Sequence, residues 1–146
     1  MSPKGSSEAD VLPQLRGITS FEGGLVHEKF LKEQIKKRAS ILSRLTVEDI
    51  KEVAEKLGLK FKDLKVNEAT EWCVVASPFK GFDVYFFLQR YSPEFEDEVQ
   101  VLFLREYREL ELPAEDVGHL TLLYLNFMIY TARLLGKNLP RISEYL

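Results

Sequence analysis

The alternation of apolar and polar positions divides the chain into two helical segments, a strand-rich stretch and a final helix. Apolar side chains recur at helical spacing over residues 27–45 and again over residues 47–57, which indicates two amphipathic helices. The second helix has a signal at each end, because Thr46 is a good N-cap and Gly58 can adopt the left-handed conformation that ends a helix. We therefore predict two consecutive helices in the first half of the chain.

Beyond residue 60 the period changes to the alternation that is typical of strands. Four segments show it, namely 60–66, 71–77, 81–91 and 99–110. Short turns connect them and leave no room for a crossover helix, so neighbouring strands should run antiparallel. The sequence predicts an α+β fold: N-terminal helices, an antiparallel four-stranded meander sheet, and a long apolar C-terminal helix packed on the sheet.

The long C-terminal helix is predicted over residues 114–135, between Pro113 and Gly136, which suit the two ends of a helix. From residue 120 to residue 135, 12 of the 16 side chains are apolar. This run is shorter than the roughly 20 apolar residues that span a membrane, so we predict no membrane span. It is nevertheless too apolar for a helix with one wet face.

Two faces of this helix therefore need a cover. The face that we assign to the sheet contains Leu120, Leu123, Phe127, Tyr130 and Leu134. The face that we assign to a partner or dimer interface contains Leu125, Met128, Ile129 and Ala132. Two covers remain open for the second face, the helix over residues 27–45 or a symmetric second subunit.

Residues 1–24 are rich in Ser, Gly and Pro and have no regular period. We predict a flexible N-terminal arm that docks locally through a few apolar side chains, Leu12, Leu15, Ile18 and Phe21. Residues 25–146 form a single α+β domain in this interpretation, because their length fits one domain of ~100–150 residues.

Cysteine usage and the amino terminus bear on the compartment. Cys73 is the one cysteine in the sequence, so no disulfide can form within the chain, and a reducing cytoplasm is the simplest location. The first ten residues are polar and lack the apolar core of a signal peptide. Lys and Glu are abundant while Asn, Gln and Cys are few, a composition that would also suit a thermophilic protein.

The net charge of −3 conceals an asymmetry. Residues 1–66 contain 13 Lys and Arg against 10 Asp and Glu, a balance of +3, whereas residues 67–146 contain 7 against 13, a balance of −6. A mildly basic and an acidic half favour self-association or an oppositely charged protein partner. They do not form the strongly basic surface that nucleic-acid binding usually requires.

The alternative hypothesis is a nucleic-acid-associated factor that uses the basic first helix. Each cation that contacts a phosphate adds salt-dependent affinity. The candidate contacts are Lys29, Lys32, Lys36, Lys37 and Arg38. Glu28 and Glu33 interleave with them, so a solvated helix face is the preferred interpretation.

The third strand segment resembles the base-stacking strand of RNA-recognition motifs only in part. Lys80, Gly81, Phe82 and Phe87 match the pattern K/R-G-F/Y-G/A-F-V-x-F/Y. At the two positions after Phe82, the pattern requires a small residue and a second stacking aromatic, but this sequence has Asp83 and Val84. We interpret the aromatic side chains as the filling of a sheet core.

Catalytic and metal-binding patterns are missing from the sequence. The acidic runs after residue 93 and after residue 105 contain no glycine-centred calcium loop. Neither His27 nor His119 has a second His at metal-pair spacing, and Cys73 lies inside a predicted strand, where a thiol is usually buried and inert. A pairing of Cys73 with His119 stays open if the last helix crosses that strand. We predict no enzyme, no cofactor and no metal.

The order of elements over residues 45–137 resembles the small α+β domains of type III secretion chaperones and of YbjN-like proteins. The segments that carry the resemblance are LTVEDIKEVAEKLGLKF, WCVVAS, DVYFFLQRY, VQVLFL and LPAEDVGHLTLLYLNFMIYTARLLGK. It covers about two thirds of the chain and implies a non-enzymatic dimer that binds segments of other proteins. Our leading hypothesis is accordingly a cytoplasmic, chaperone-like protein-interaction or assembly module that acts as a homodimer.

Overall fold

The computed structural model describes residues 8–107, 109–144 and 146. Two short 3₁₀ helices, Glu8–Gln14 and Ile18–Ser20, precede the main elements. The helices and strands that follow are α1 (Gly24–Leu42), α2 (Val47–Leu57), β1 (Lys60–Lys62), β2 (Thr70–Phe79), β3 (Phe82–Gln89), β4 (Glu98–Arg105) and α3 (Ala114–Leu134). The predicted α+β fold class is confirmed.

The four strands form one sheet in the order β1-β2-β3-β4, and each neighbouring pair is antiparallel. This is the predicted meander. The first strand is shorter than predicted and ends at Lys62, because residues 63–66 leave the sheet edge and Leu64 packs against the outer face of the sheet.

Helix α2 begins and ends where its local signals predict. The Thr46 hydroxyl accepts from the Asp49 N–H at 3.1 Å, and the Asp49 carboxylate accepts from the Thr46 N–H at 3.0 Å, which completes a capping box. Gly58 ends the helix at φ 76°. Lys137 then links the end of α3 to α2 through ion pairs with Asp49 at 3.0 Å and Glu52 at 2.7 Å.

The main core lies between the inner face of the sheet and the three helices. Helices α1 and α3 lie side by side and run in the same direction, since Leu31 lies beside Gly118 and Arg38 bonds Asn126 further along both helices. Helix α2 contacts α3 on its other side. The largest sheet side chains in this core are Trp72, Phe82, Phe86 and Phe103.

The fold reverses the predicted roles of the two faces of α3. Leu125, Met128, Ile129 and Ala132 were expected to form a partner or dimer interface, yet all four are 0% exposed within the single chain. They belong to the core shared with the sheet, and the neighbouring helices cover them. This corrects the interface assignment, because side chains enclosed in one chain are unavailable to a partner.

The face expected to lie on the sheet is instead solvent-exposed. Leu120 is half-buried, and Leu123, Phe127, Tyr130 and Leu134 are exposed at 46%, 39%, 40% and 83%. We call these last four side chains the exposed stripe. The buried face contains small residues such as Gly118 and Thr121, which let α3 approach its neighbours closely, and this explains why it packs inward.

The N-terminal segment is docked on the sheet. Leu15 joins Leu64, Cys73, Val75, Tyr85 and Phe87 on the outer face, while Ile18 and Phe21 enter the main core. The predicted docking side chains Leu15, Ile18 and Phe21 are buried, and Leu12 is half-buried. The first seven residues of the predicted arm lie outside the described residues.

Candidate functional site

Strand β4 has β3 on one side and an open edge on the other. Phe103 exchanges two backbone hydrogen bonds with Arg16 at this edge, at 2.9 Å and 2.8 Å, so its N–H and C=O point away from β3. Backbone direction alternates along an antiparallel strand. Val101 and Val99 therefore also direct their backbone groups outward, and no backbone group of the described residues pairs with them there.

A groove of about 730 Å³ runs between this open edge and α1. We call it the edge groove. Its apolar lining comes from two elements, Leu31, Ile35 and Ala39 of α1 and Val99, Val101 and Phe103 of β4. Consecutive residues 98–103 all line it, so the strand backbone itself is accessible from the groove.

Two ion pairs lie along the rim of the edge groove. Lys32 meets Glu28 at 3.3 Å within α1, and Lys36 of α1 meets Glu96 of the loop before β4 at 3.3 Å. The side chains of Lys36 and Glu96 are 72% and 75% exposed. Exposed pairs of this kind contribute about 0–1 kcal/mol, so the rim does not hold the groove closed against a ligand.

A half-buried polar cluster fixes the loop at one end of the groove. The Arg90 guanidinium donates two hydrogen bonds to the Glu71 carboxylate, one to Asp97, and one to the Ser43 carbonyl at the end of α1. Hydrogen bonds from Arg90 to Glu71 raise the pKa of Arg90, against the effect of burial. Asp97 in turn accepts from the backbone N–H groups of Tyr91 and Ser92 at 2.8 Å and 2.9 Å.

The pKa of Asp97 reflects this setting. Burial acts to raise it, but the N–H groups of Ser92 and Tyr91 and the Arg90 guanidinium together lower the pKa below its usual value. Asp97 is therefore a charged anchor that joins the loop to β3, and through Arg90 to β2 and α1. The end of the edge groove is accordingly a fixed part of the fold.

The five cations proposed for nucleic-acid contact do not form one surface. Lys32 and Lys36 line the edge groove in their ion pairs. Arg38 is only 9% exposed and faces α3, where it bonds Asn126, which corrects its assignment as a nucleic-acid contact. A nucleic-acid surface on α1 would rest mainly on the exposed Lys29 and Lys37.

The aromatic strand fills both faces of the sheet, as interpreted from the sequence. Phe82 and Phe86 are 0% exposed in the main core, and Tyr85 and Phe87 are buried on the outer face under the N-terminal segment. None of these four rings is available to stack on a base. The aromatic side chains that match the RNA-binding strand pattern, Phe82 and Phe87, are both enclosed in the fold.

The fold separates Cys73 from His119, the pair that the sequence left open as a possible Cys-His pairing. Cys73 is buried in the cluster on the outer face of the sheet, whereas α3, which carries His119, lies on the inner face. His119 instead lines a small cavity of about 180 Å³ together with His27 and Glu115. Across the part of the chain that the structure describes, no three His, Cys, Asp or Glu side chains converge to hold a metal ion.

The edge groove has no signature in the amino-acid sequence. The residues that line it occupy ordinary helix and strand positions. They form a groove only because β4 lies at the sheet edge and α1 crosses beside it. The same limit applies to Arg16, whose pairing with Phe103 has no signal in the local sequence.

Comparisons of the chain with protein-family models, curated protein sequences and solved structures found no significant match. The resemblance to secretion chaperones and YbjN-like proteins stays a prediction. None of the helices in the described residues has both the length and the apolar character needed to cross a membrane.

Proposed function

We propose that the chain is a protein-interaction module that binds an extended segment of another protein along β4. The observation that carries this proposal is the outward-facing backbone of Val99 and Val101, left without a backbone partner beside an apolar groove. An extended peptide added to a sheet edge gains affinity from backbone hydrogen bonds, and its alternate side chains give specificity. Arg16 already uses one position of this edge in the same way.

The lining of the groove defines the chemistry of the bound segment. Its residues opposite Val99 and Val101 place their side chains on the inner face of the sheet, because paired residues in neighbouring strands share a face. On that face they contact Leu31 and Ile35 of α1. The partner segment should therefore carry apolar residues at alternate positions, with polar residues between them.

The test starts from a random library of seven-residue peptides selected against the full chain. Enriched peptides should have the alternating pattern and should lose binding when the N–H groups that face β4 are methylated. Methylation of the N–H groups that face solvent should leave affinity unchanged. Selection of no peptide, or of peptides indifferent to methylation at every position, would contradict the proposal.

A substitution in β4 tests the same backbone hydrogen bonds by changing the protein instead of the peptide. Val101→Pro removes an N–H that points away from β3, so the ladder between β3 and β4 keeps its hydrogen bonds. Val101→Thr retains the N–H and the branched shape and is the matched control. Peptide affinity should fall by roughly two- to tenfold in the first variant, because one backbone hydrogen bond is lost. In the second variant it should stay near the wild-type value.

We further propose that the module acts as a homodimer through the exposed stripe. Leu123, Phe127, Tyr130 and Leu134 follow one another at spacings of 4, 3 and 4 residues, so they form a continuous apolar row on α3. Apolar rows of this kind mark interaction surfaces. Light scattering at micromolar concentration should give twice the chain mass of 16.9 kDa.

Two phenylalanine variants separate this surface from general hydrophobicity. Phe127→Glu should give a folded monomer, because it places a charge in the middle of the stripe. Phe95→Glu changes a side chain that is 75% exposed in a loop away from the stripe and should leave the dimer intact. A wild-type monomer at micromolar concentration would refute the homodimer, without bearing on peptide binding at β4.

A further inference from the structure

The chain's own N-terminal segment closes one end of the free edge of β4. Arg16 and Phe103 form an antiparallel pair there. Gly17 continues past Arg16 with an extended backbone, at φ −85° and ψ −177°, and its carbonyl accepts from the Ser20 N–H at 3.1 Å. Since antiparallel chains run in opposite directions, the residue after Arg16 lies opposite the residue before Phe103. Gly17 therefore takes the position opposite Leu102.

The position of Gly17 favours one direction for a strand added to this edge. In an antiparallel pairing, one residue opposite Val101 and one opposite Val99 bond all four outward backbone groups, because such pairs exchange both hydrogen bonds. In a parallel pairing the bonds are slanted, and the outward carbonyl of Val101 needs the N–H of a residue opposite Leu102. Gly17 lies at that position. A parallel segment would therefore lose one of the four bonds, and an antiparallel segment would lose none.

Gly17 also fixes the register of an antiparallel segment. The first paired residue of the segment lies opposite Val101, because the chain before it must begin there or turn away from Gly17. The next three residues then lie opposite Gln100, Val99 and Glu98, in that order. A shift of two residues away from Gly17 would leave the outward groups of Val101 without partners. Each residue of the segment thus has a defined neighbour on β4.

Glu98 carries the unpaired charge at the far end of this edge. Val99 belongs to the main core, so the side chain of Glu98 is on the outer face of the sheet, where it is exposed. The two acidic residues before it, Glu96 and Asp97, are both held in ion pairs. Glu98 forms no ion pair with any residue that the structure describes. Its carboxylate is therefore free to meet a cation of a bound segment.

The residue opposite Glu98 on an added strand has its side chain on the same outer face. Val99 and Val101 form the hydrogen-bonded pairs with that strand, so Glu98 forms a pair of the other kind, in which side chains lie closer together. Opposite charges at such directly facing positions attract, and like charges repel. A Lys or Arg side chain in the segment would therefore be favoured at this position, and an Asp or Glu side chain would be disfavoured.

We infer that the segment bound at β4 runs antiparallel to it and carries Lys or Arg at the position opposite Glu98. The inference rests on the proposed binding of an extended segment along β4. From the N-terminal to the C-terminal side, the four paired residues of the segment are apolar, polar, apolar and basic. A parallel segment would have the reverse order, so the side of the apolar pair on which the basic residue lies reports the direction.

The first test exchanges the charges of protein and peptide. Peptides enriched from the seven-residue library should carry Lys or Arg on the C-terminal side of their apolar pair. Replacing that residue with glutamate should weaken binding to the wild-type chain roughly two- to tenfold, and Glu98→Lys should bind the glutamate peptide better than the basic one. Glu94→Lys is the matched control, because Glu94 is exposed and does not line the edge groove. This variant should keep the wild-type preference for the basic peptide.

The second test measures the direction of the bound peptide. An enriched peptide receives a spin label at one end or the other, and NMR of the full chain records which amide signals broaden. A label at the N-terminal end should broaden Gly17 and Leu102 most strongly. A label at the C-terminal end should broaden Tyr91 and Glu98 most strongly. The opposite assignment would overturn the antiparallel direction.

The outcomes separate this inference from the proposed function on which it rests. Enriched peptides that bind through their backbone but have no basic residue opposite Glu98 would overturn the role of Glu98 and keep strand addition at β4. The same conclusion would follow if Glu98→Lys and Glu94→Lys had equal effects on the preference for the basic peptide. Selection of no peptide would overturn both the proposed function and this inference.

Discussion

The Arg90 guanidinium donates to Asp97 Oδ2 at 2.6 Å, and this bond joins the residue after β3 to the loop that leads into β4. The same guanidinium forms two parallel hydrogen bonds to Glu71 of β2 at 2.9 Å and 2.7 Å. Paired bonds between a guanidinium and a carboxylate are directional and strong. One cation thus fixes the geometry of the loop where the edge groove begins.

Asp97→Asn should lower the free energy of unfolding at pH 7 by roughly 1.5–3 kcal/mol, the range for hydrogen bonds to a charged group. The pKa of Asp97 is lowered in the folded chain, so its contribution is present above the unfolded value of about 3.9 and is lost as pH falls through the folded pKa. Wild-type stability should therefore decline more steeply than that of the variant at acidic pH. Denaturation series at several pH values measure this.

Glu94→Gln is the control for Asp97→Asn, because Glu94 is an exposed carboxylate in the same loop. Its removal should leave both the stability and its pH dependence within experimental error. Equal pH profiles for Asp97→Asn and wild type would show that the carboxylate is not an anchor.

Leu125→Ala tests the assignment of the buried face of α3. Leu125 is 0% exposed, so the substitution should cost about 2–5 kcal/mol, as large-to-small changes in cores do. Leu123→Ala, on the exposed stripe of the same helix, should change the stability of the monomer by less than about 0.5 kcal/mol. Urea denaturation at concentrations low enough to dissociate any dimer compares the two, and equal losses would contradict the face assignment.

Gly24→Ala tests how the N-terminal segment is docked. A Cβ at position 24 would clash with the Ile18 carbonyl oxygen, so the start of α1 and residues 18–19 would have to separate, at a cost of about 1–3 kcal/mol or more. Gly17→Ala is the matched control, because a Cβ there meets no atom within 4 Å. Thermal melting should fall clearly for the first variant and stay level or rise slightly for the second; the reverse order would contradict this docking.

The sequence predicted those parts of the fold that depend on local signals. Both ends of α2 were predicted, because the Thr46 cap and the Gly58 end conformation involve residues within one turn. The antiparallel order of the strands was predicted from short connections. The predicted strand boundaries were less accurate, and β1 is shorter than predicted. The reason is that pairing with a neighbouring strand, rather than local propensity, decides where a strand ends.

The faces of α3 were assigned wrongly for a physical reason. Both faces are apolar, so hydrophobic period alone could not rank them, and the larger side chains were placed inside. The buried face in fact includes the small or polar Gly118 and Thr121, and the Thr121 hydroxyl bonds the Val117 carbonyl of its own helix at 2.8 Å. Close helix packing favoured these residues over the bulkier ones of the exposed stripe.

The candidate site could not be predicted from sequence, because it is a product of tertiary placement. Val99 and Val101 have the pattern of any half-buried strand. The role that we propose for them depends on the crossing of α1, and on Arg16 closing only one position of the edge. The same is true of Arg38, which looks like one member of a basic helix until Asn126 and α3 enclose it.

Amide hydrogen exchange of β4, measured by NMR on the full chain with and without a selected peptide, tests the central claim most directly. The account predicts that exchange at Val99 and Val101 slows about tenfold or more when the peptide binds, because their outward N–H groups gain partners. Exchange at Gln100 and Leu102 should change little, since these groups already face β3. A bound peptide that leaves Val99 and Val101 exchanging at the free rate would contradict strand addition at this edge.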